Sequence, residues 1–200
     1  DFNVENLLAA IAVLMVEKIA LSTIAQAITQ LDPIIGRMEA FSGKAKPTAV
    51  VDYAHTPDAL ASALDACRLH CHGKLWLVFG CGGDRDVGKR ALMAKVAEKK
   101  ADHIIITNDN PRSEDPEAIA ADIIAGLVGN TGFEKILDRT TAVLTALKKA
   151  NADDVVLCAG KGHEEYIIFG TQKRHYDERA VVQAFYTAKP KQASEQGLNA

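Results

Sequence analysis

The sequence has no excess of basic side chains and no long uninterrupted apolar run. Lys and Arg total 23 and Asp and Glu total 26 in 200 residues, which gives a net charge of −3. This balance argues against a nucleic-acid partner, because such proteins usually carry a basic stripe. No apolar stretch reaches the roughly 20 residues that a membrane-spanning helix needs, so no membrane partner is expected. The start at Asp1 has no basic segment and no Met, so it does not resemble a signal peptide.

Cysteine is scarce as well, with four residues at positions 67, 71, 81 and 158. That number is too small for a disulfide scaffold and favours a reducing cytoplasm. Cys67, His70, Cys71 and His72 lie close together in the sequence. No second Cys or His pair follows at zinc spacing, so we interpret this group as a helix end with half-buried thiols.

From residue 48 onwards the sequence alternates between apolar, β-branched runs and amphipathic segments. Near-continuous apolar runs are typical of parallel strands buried on both faces. Repeated strand–helix units predict a Rossmann-like, doubly wound α/β sheet that is mostly parallel, followed by a C-terminal hairpin and a last helix capped by Asp177. The predicted strands are 48–53, 75–79, 103–107, 134–137 and 155–159, the predicted helices are 57–69, 89–99, 116–127 and 140–150, and the predicted hairpin strands are 166–169 and 174–176.

Two further helices are predicted before this sheet. Residues 4–16 are apolar on nearly all sides, which predicts a buried helix. Residues 21–31 are amphipathic, and Pro33 ends that helix. These helices are too small to enclose a core, so we expect them to belong to a domain whose main part lies upstream, and the turn at 34–39 marks the boundary. The predicted domains are therefore 1–35, the end of that upstream domain, then 36–188, the main domain, and 189–200, a disordered tail.

The most distinctive loop follows the apolar run that ends at Thr107, and its sequence is Asp109-Asn110-Pro111-Arg112. Pro111 fixes its own φ and keeps Asn110 out of the helical region, so the loop is stiff. The planar guanidinium of Arg112 fits a carboxylate, and Asp109 can accept a hydrogen bond from an ammonium group. These groups suit recognition of an amino acid or another small zwitterion. An ordinary turn with a surface arginine is the alternative interpretation.

Three more loops that follow predicted strands, at 52–58, 80–86 and 160–164, are rich in glycine and charge. Ligands collect at the carboxyl ends of strands in open α/β sheets, so these loops are candidates for one shared site. Residues 83–89 have the spacing of a phosphate-binding loop. However, Arg90 stands where Ser or Thr would hold magnesium, and two acidic residues would repel phosphates. We expect instead that the glycines turn the backbone so that Arg85 points at the ligand edge.

Taken together, six ordered motifs resemble the C-terminal portion of the Mur ligase family, and in particular its diaminopimelate-adding members. The resemblance implies an ATP- and Mg²⁺-dependent ligase of cytoplasmic peptidoglycan synthesis. In that reaction ATP phosphorylates the D-glutamate carboxylate of UDP-MurNAc-L-Ala-D-Glu, and the amine of meso-diaminopimelate attacks the acyl phosphate. The motifs lie at 1–6, 36–39, 51–58, 79–86, 109–112 and 159–164, and the resemblance runs to about Phe185.

The resemblance also implies roles for single residues. The distal carboxylate of meso-diaminopimelate is assigned to Arg85, Asn110 and Arg112, in a loop shaped by Asp109 and Pro111. Its distal ammonium is assigned to Glu164 and the carbonyl of Gly160. L-Lysine lacks the distal carboxylate, so it would leave Arg112 unpaired and be rejected. The nucleotide-side residues implied are Asn3 at the adenine, Arg37 at a phosphate, and Asp52 with His55, whereas the roles of Lys161 and His163 stay open.

The sequence departs from the complete family pattern in what it omits. It has no upstream Gly-Lys-Thr phosphate loop, magnesium ligands, carbamylated lysine or uridine-binding domain. The main ATP and Mg²⁺ sites are therefore expected in upstream domains, no catalytic residue is assigned in this chain, and the chain alone is expected to be inactive. Two alternatives stay open: a nucleotide- or amino-acid-binding module without ligase activity, and a folylpolyglutamate-synthetase-like ligase that binds glutamate.

Overall fold

The structure, a computed structural model, describes residues 2–31, 34–129 and 132–188, without the side chains of Phe2 and Asn3. Its centre is a sheet in which β1 is antiparallel to its neighbour and every other pair is parallel. The strands are β1 (Glu39–Phe41), β2 (Thr48–Asp52), β3 (Leu75–Phe79), β4 (His103–Ile106), β5 (Phe133–Lys135) and β6 (Val155–Ala159), in the spatial order β1-β2-β6-β3-β4-β5. The predicted Rossmann-like, mostly parallel sheet is confirmed.

Helices cover both faces of the sheet, because its central strands are apolar on both sides. Every residue of β3 and of β6 is buried. The helices are α1 (Phe2–Val16), α2 (Leu21–Ile28), α3 (Pro57–Leu69), α4 (Gly88–Lys100), α5 (Pro116–Ala125), α6 (Arg139–Lys149) and α7 (Glu178–Thr187). One apolar cluster packs α3, α4 and α5 on one face, and a second packs α6 and α7 on the other.

The predicted hairpin is present as a separate two-stranded sheet, β7 (Tyr166–Phe169) and β8 (Gln172–His175). Its tip touches the main domain, since Phe169 forms an isolated parallel bridge with Arg112. Asp177 then caps α7 as predicted, because its carboxylate accepts a hydrogen bond from the amide of Ala180 at 3.0 Å. The hairpin therefore continues directly from the last loop of the sheet edge to the final helix.

Strand β1 is missing from the sequence prediction, which treats residues 34–39 as a linker-like turn. In the structure the turn ends at Met38, and Glu39–Phe41 then pair antiparallel with β2, with Glu39 opposite Val51. A strand of this length shows too little alternation to be recognised from its residues alone. Strand β1 matters for the candidate site, because its pairing with β2 holds the preceding Gly36–Arg37 turn beside the sheet.

The prediction that residues 4–16 form a buried helix is correct about the helix and wrong about its burial. Val16 is 79% exposed, and Leu8 and Val13 are more than half exposed. The apolar residues are spread around the helix, and its main packing partner among the described residues is α2. Within the same ranges, no helix combines the length and the apolar character required to cross a bilayer. Pro33 and the predicted tail at 189–200 lie outside the described residues.

Candidate functional site

Four loops meet at the carboxyl edge of the sheet. Strands β2, β6, β3 and β4 are parallel neighbours, so the segments that follow them emerge side by side. These segments are 53–56, 160–165, 80–87 and 107–115. The four loops chosen from the sequence are therefore brought together, as expected for a ligand site in an open α/β sheet.

Arg112 is held in an unusual backbone conformation by the hairpin. Its φ is +55°, a region that residues other than glycine seldom adopt. The Arg112 amide donates to the carbonyl of Ile168 at 3.0 Å, and the Arg112 carbonyl accepts from the amide of Gly170 at 2.6 Å. Its Nη1 donates to the carbonyl of Gly83 at 2.8 Å. Within the described ranges only Nη1 of this guanidinium has a protein acceptor, which leaves Nη2 for a ligand.

Asn110 is buried and connects three segments of the site. Its Oδ1 accepts from Lys161 Nζ and from the amide of Ile168, both at 2.9 Å. Its Nδ2 donates to Glu164 Oε2 at 3.0 Å. Three of the four hydrogen bonds that its amide group can form are thus made inside the protein. The predicted contact between Asn110 and a ligand carboxylate stays a prediction and relies on the one N–H that is left.

Lys161, whose role the sequence left open, is fully buried and holds two loops together. Its Nζ donates to Asn110 at 2.9 Å, to Glu164 Oε2 at 3.0 Å and to the carbonyl of Tyr166 at 2.9 Å. Those three bonds use all three ammonium protons. Asp109 Oδ1 also lies 3.0 Å from Nζ, yet this buried oxygen has no donor within the described ranges. The Lys161 ammonium group therefore attracts Asp109 electrostatically, but it has no proton left to donate to that carboxylate.

Asp109 and Glu164 make one end of the site negative. Burial raises the pKa of Tyr53, and the charges of Glu164 and Asp109 raise it further. Glu164 Oε2 is occupied by Lys161 and Asn110, whereas no described residue donates to Oε1. Gly160 lies against the other acid, because a Cβ built on it would be 3.2 Å from Asp109 Oδ2. This end of the site can accept hydrogen bonds from an ammonium group.

Another part of the same sheet edge is positive. Gly82 lies beside two arginines, since a Cβ built on it would be 2.9 Å from Nη1 of Arg112 and 3.9 Å from Cγ of Arg85. Arg85 is exposed, and its guanidinium makes only a 3.1 Å hydrogen bond to the neighbouring Asp84 carbonyl among described partners. Guanidinium groups are the donors that bind a carboxylate best, so this part of the edge suits an anionic group.

The Asp84 turn fixes the Arg85 loop to the Arg112 loop. Asp84 has φ +53°, and its carboxylate accepts from the amide of Ser113 at 3.2 Å and from its hydroxyl at 2.5 Å. These hydrogen bonds from Ser113 lower the pKa of Asp84, and the charges of Arg112 and Arg85 lower it further. Gly83 permits the close approach, because a Cβ there would lie 2.0 Å from the Pro111 carbonyl oxygen.

Arg90, the residue at the magnesium position of the phosphate-loop-like segment, is buried and paired. Its Nη2 donates to both carboxylate oxygens of Glu114 at 2.8 Å, and its Nη1 donates to Asp122 at 2.8 Å. Burial opposes the charge of Arg90, but the bonds to Asp122 and Glu114 outweigh it and raise the pKa of Arg90. Glu114 in turn accepts from the amide of Asp84. The structure thus gives Arg90 and Glu114, which sequence reasoning did not select, a supporting role.

Two of the predicted nucleotide-side residues, Arg37 and His55, are exposed and lie around the ring of Tyr53 beside the acidic end. The guanidinium of Arg37 lies 4.6 Å from the ring centre of Tyr53. The same ring is 4.8 Å from His55 and 5.2 Å from His163. The turn that carries Arg37 packs closely here, since a Cβ on Gly36 would meet the Gly162 carbonyl carbon at 2.2 Å.

Asp52 is buried and uses both carboxylate oxygens inside the protein. Oδ1 accepts from the amide of Ala54 at 2.7 Å, and Oδ2 accepts from the amide of Met38 at 2.8 Å. Asp52 therefore ties the β1 turn to the loop after β2, and its predicted nucleotide contact stays a prediction. The predicted adenine contact of Asn3 lies outside the described side chains.

Metal ligands do not cluster in the described part of the chain. No three His, Cys, Asp or Glu side chains there are placed to hold a metal ion. Cys67 is buried in α3, where burial raises its pKa to about 12, and Cys71 is half-buried just beyond the helix. Residues 67–72 lie at a helix end as interpreted, but only the Cys71 thiol is half-buried, since Cys67 is 3% exposed.

Known proteins are similar to this chain over most of its length. A family model described as Mur ligase, glutamate ligase domain, matches residues 36–162. A solved UDP-N-acetylmuramoyl-L-alanyl-D-glutamate–2,6-diaminopimelate ligase is 41% identical, with a TM-score of 0.72, over 92% of this chain and 38% of that chain. This chain therefore spans less than two fifths of that protein's length.

Two more distant structures share the fold. A UDP-N-acetylmuramate–alanine ligase from Thermotoga maritima is 19% identical with a TM-score of 0.63, over 92% of this chain and 36% of that one. A bifunctional folylpolyglutamate synthase/dihydrofolate synthase from Yersinia pestis, complexed with AMPPNP and a Mn ion, is 24% identical with a TM-score of 0.56, over 71% of this chain and 32% of that one.

Proposed function

This chain belongs to the Mur ligase family, and we propose that it is the amino-acid-recognition domain of an ATP-dependent amide ligase. The amino acid is meso-diaminopimelate, and the acceptor is UDP-MurNAc-L-Ala-D-Glu in cytoplasmic peptidoglycan synthesis. The likeness to the diaminopimelate ligase, at 41% identity over 92% of this chain, supports the substrate class. The observation that carries the proposal is the pairing of a two-arginine end with a two-carboxylate end at one sheet edge.

The two ends match the two charged groups at the distal end of meso-diaminopimelate. Arg85 and Arg112 lie beside Gly82 and, in this proposal, offer guanidinium groups to the distal carboxylate. Glu164 Oε1 and the acidic Asp109 offer acceptors to the distal ammonium. L-Lysine carries an ammonium group at that end without the carboxylate, so both arginines would lose water without gaining a partner. L-Glutamate carries a distal carboxylate without the ammonium and would leave the acids unpaired.

Recognition of the distal end orients the other amine of the substrate for amide formation. Holding a reacting amine in a fixed position lowers the entropic cost of the attack. The exposed Arg37 and His55 beside Tyr53 suit a nucleotide phosphate, which places ATP at the neighbouring edge in this proposal. The described residues offer no magnesium ligand set, so the proposal includes no step through Mg²⁺ in this chain.

Titration of the chain with meso-diaminopimelate, followed by NMR, tests the proposal. We expect shifts at Arg85, Arg112 and Glu164 with meso-diaminopimelate, and none there with L-lysine or L-glutamate at equal concentration. Arg112→Ala should abolish the shifts. Arg68→Ala is the matched control. Arg68 lies near the end of α3 and pairs with Asp102, which is at the opposite edge of the sheet, before β4. Equal shifts with L-lysine would refute Arg112 as the discriminating residue, and a response to L-glutamate alone would favour a folylpolyglutamate-synthetase-like substrate.

We further propose that the chain alone binds the amino acid without ligating it. The described residues include neither a magnesium ligand set nor a threonine- or serine-bearing phosphate loop, and Arg90 fills that position with a buried ion pair. Phosphate release from ATP in the presence of both acceptor and meso-diaminopimelate should stay at the background rate. Turnover that exceeds the background rate and is removed by Arg112→Ala would contradict the proposal that the chain alone does not ligate.

A further inference from the structure

A buried ion pair lies directly beneath the two loops that carry the proposed recognition groups. Arg139 and Glu178 are the first residues of α6 and α7, and both side chains are completely buried. Nε of Arg139 donates to Glu178 Oε2 at 2.5 Å, and Nη2 donates to Oε1 at 3.0 Å. The guanidinium is therefore fixed by a two-point contact, which sets its plane as well as its position.

The rest of the same guanidinium is bonded to the roots of the two loops. Nη1 donates to the carbonyl of Asn108 at 2.9 Å, immediately before Asp109. Nη2 donates to the carbonyl of Ala159 at 2.8 Å, immediately before Gly160. One rigid group thus spans the point where the chain leaves β4 and the point where it leaves β6. These strands are not neighbours, because β3 lies between them.

Tyr176 completes the network around this pair. The hydroxyl of Tyr176 donates to Glu178 Oε2 at 2.9 Å. Burial and the nearby Glu178 raise the pKa of Tyr176, so the hydroxyl keeps its proton. Burial opposes the charge of Arg139, but the attraction of Glu178 outweighs it and raises the pKa of Arg139. Neither the Arg139 guanidinium nor the Tyr176 hydroxyl therefore loses its proton near neutral pH.

We propose that Arg139 is a positioning residue that sets the distance between the Asp109–Arg112 loop and the Gly160–Glu164 loop. The proposal rests on the function inferred above, because those loops carry the groups assigned to the two charges of the substrate. A buried ion pair is seldom needed for stability, since well-packed apolar residues of similar volume serve equally well. The bonds from Arg139 to two loop carbonyls are what an apolar replacement would not reproduce. A lysine would not either, because its single ammonium lacks the planar fork.

The decisive variant replaces the network with apolar residues of similar size: Arg139→Met, Glu178→Leu and Tyr176→Phe together. Arg139→Lys, which keeps the charge opposite Glu178, is the second variant in case the first does not fold. Asp154→Asn is the matched control, because buried Asp154 holds Lys74 and Trp76 at the opposite edge of the sheet. Melting curves, hydrogen exchange at single amides and meso-diaminopimelate affinity are measured for each full chain.

We expect both Arg139 variants to exchange at least about tenfold faster at the amides of Arg112, Gly160 and Glu164, with the amides of β3 unchanged. The Kd for meso-diaminopimelate should rise at least about tenfold, and that of Asp154→Asn should not change even where its melting temperature falls. Wild-type exchange at these loop amides in Arg139→Lys would overturn the proposal. If the wild-type chain does not bind meso-diaminopimelate, the proposed function fails, while the exchange rates still decide whether Arg139 holds the two loops.

Discussion

At the scale of single residues, the site depends on charged groups that face inward as much as on those that face the ligand. Lys161, at zero exposure, is the clearest example, because its three protons are shared among two loops and the start of the hairpin. Its charge also lies beside Asp109, an acid with one buried oxygen that has no donor within the described ranges. Two carboxylates at the end proposed to bind the ammonium are therefore held near each other by one buried cation.

Replacement of Lys161 by methionine should destabilise the protein strongly. The change leaves Asp109 and Glu164 without their shared cation, and loss of one partner from a buried ion pair costs about 3–5 kcal/mol. The free energy of unfolding, measured by urea denaturation, gives the size of this effect. Lys173→Met is the control, because Lys173 is exposed and lies over the Tyr166 ring at 4.2 Å. A loss below about 1 kcal/mol for Lys161→Met, the range of an exposed pair, would contradict the bonding described here.

Replacement of Gly83 by alanine should separate the Arg85 loop from the Arg112 loop. A Cβ at Gly83 would lie 2.0 Å from the Pro111 carbonyl oxygen, and that backbone is stiff. We expect a loss of about 1–3 kcal/mol in stability, as for other overpacked sites, and weaker meso-diaminopimelate binding. Gly132→Ala is the control, since a Cβ there meets nothing within 4 Å. Equal stability and equal affinity in the two variants would show that the loops tolerate the displacement.

Residue types at the site were predictable from sequence, whereas their partners were not. The stiff loop after a strand drew attention to Arg112, and the family resemblance assigned its role. The resemblance also selected Asn110 and Asp52, but their side chains bond to segments that the fold brings from 58 and 14 positions away. Arg139 and Glu178 carry no local pattern, because their importance comes only from a contact between two helix starts.

At the scale of elements, the sequence predicts helix starts best where an N-capping residue precedes the first turn. Pro57 and Pro116 open α3 and α5, and in each case the preceding Thr56 or Asp115 accepts a hydrogen bond from the first turn. Strand β1 has no such marker and was missed. The burial of α1 was also mispredicted, because the composition of a helix does not show whether another layer covers it.

The hairpin of β7 and β8 is the element that fixes the backbone of Arg112. Gly170 has φ +57°, and its amide donates to the Arg112 carbonyl at 2.6 Å. Gly170→Pro removes that donor and requires a φ near −65°, so the turn cannot keep its shape. We expect a Kd for meso-diaminopimelate at least about tenfold higher, while the amide signals of the central sheet stay in place. Thr171→Ala, at the next position of the same turn, is the control, and equal affinity for the two variants would rule out the hairpin as a support.

At the scale of the whole molecule, the paired carboxyl groups of the described residues predict how the stability of the fold responds to acid. Four carboxyl groups spread over the domain have a lowered pKa: Glu39, Asp84, Asp102 and Asp154. A group whose pKa is lower in the folded state stabilises the fold only while it is ionised. Acid should therefore loosen the loop edge and the opposite edge of the sheet together.

Asp154 provides the sharpest test of this acid response. Burial raises the pKa of Asp154, but the amides of Lys74 and Asn151 and the indole of Trp76 outweigh it, and the net pKa is lowered. Its contribution is complete above about pH 5 and is lost as pH falls through the lowered pKa, below about pH 4. The melting temperature of the wild-type chain should be level from about pH 5 to 7 and should fall below about pH 4.

Asp154→Asn keeps the shape of the side chain but removes its charge and one acceptor oxygen. At pH 7 the variant should be less stable than the wild-type chain by about 2–3 kcal/mol, the range for hydrogen bonds to a charged group. The difference should shrink as pH falls below about 4, since acid then neutralises Asp154 in the wild-type chain as well. A difference that stays constant from pH 7 to pH 3 would mean that packing, and not the charge of Asp154, sets the stability of this edge.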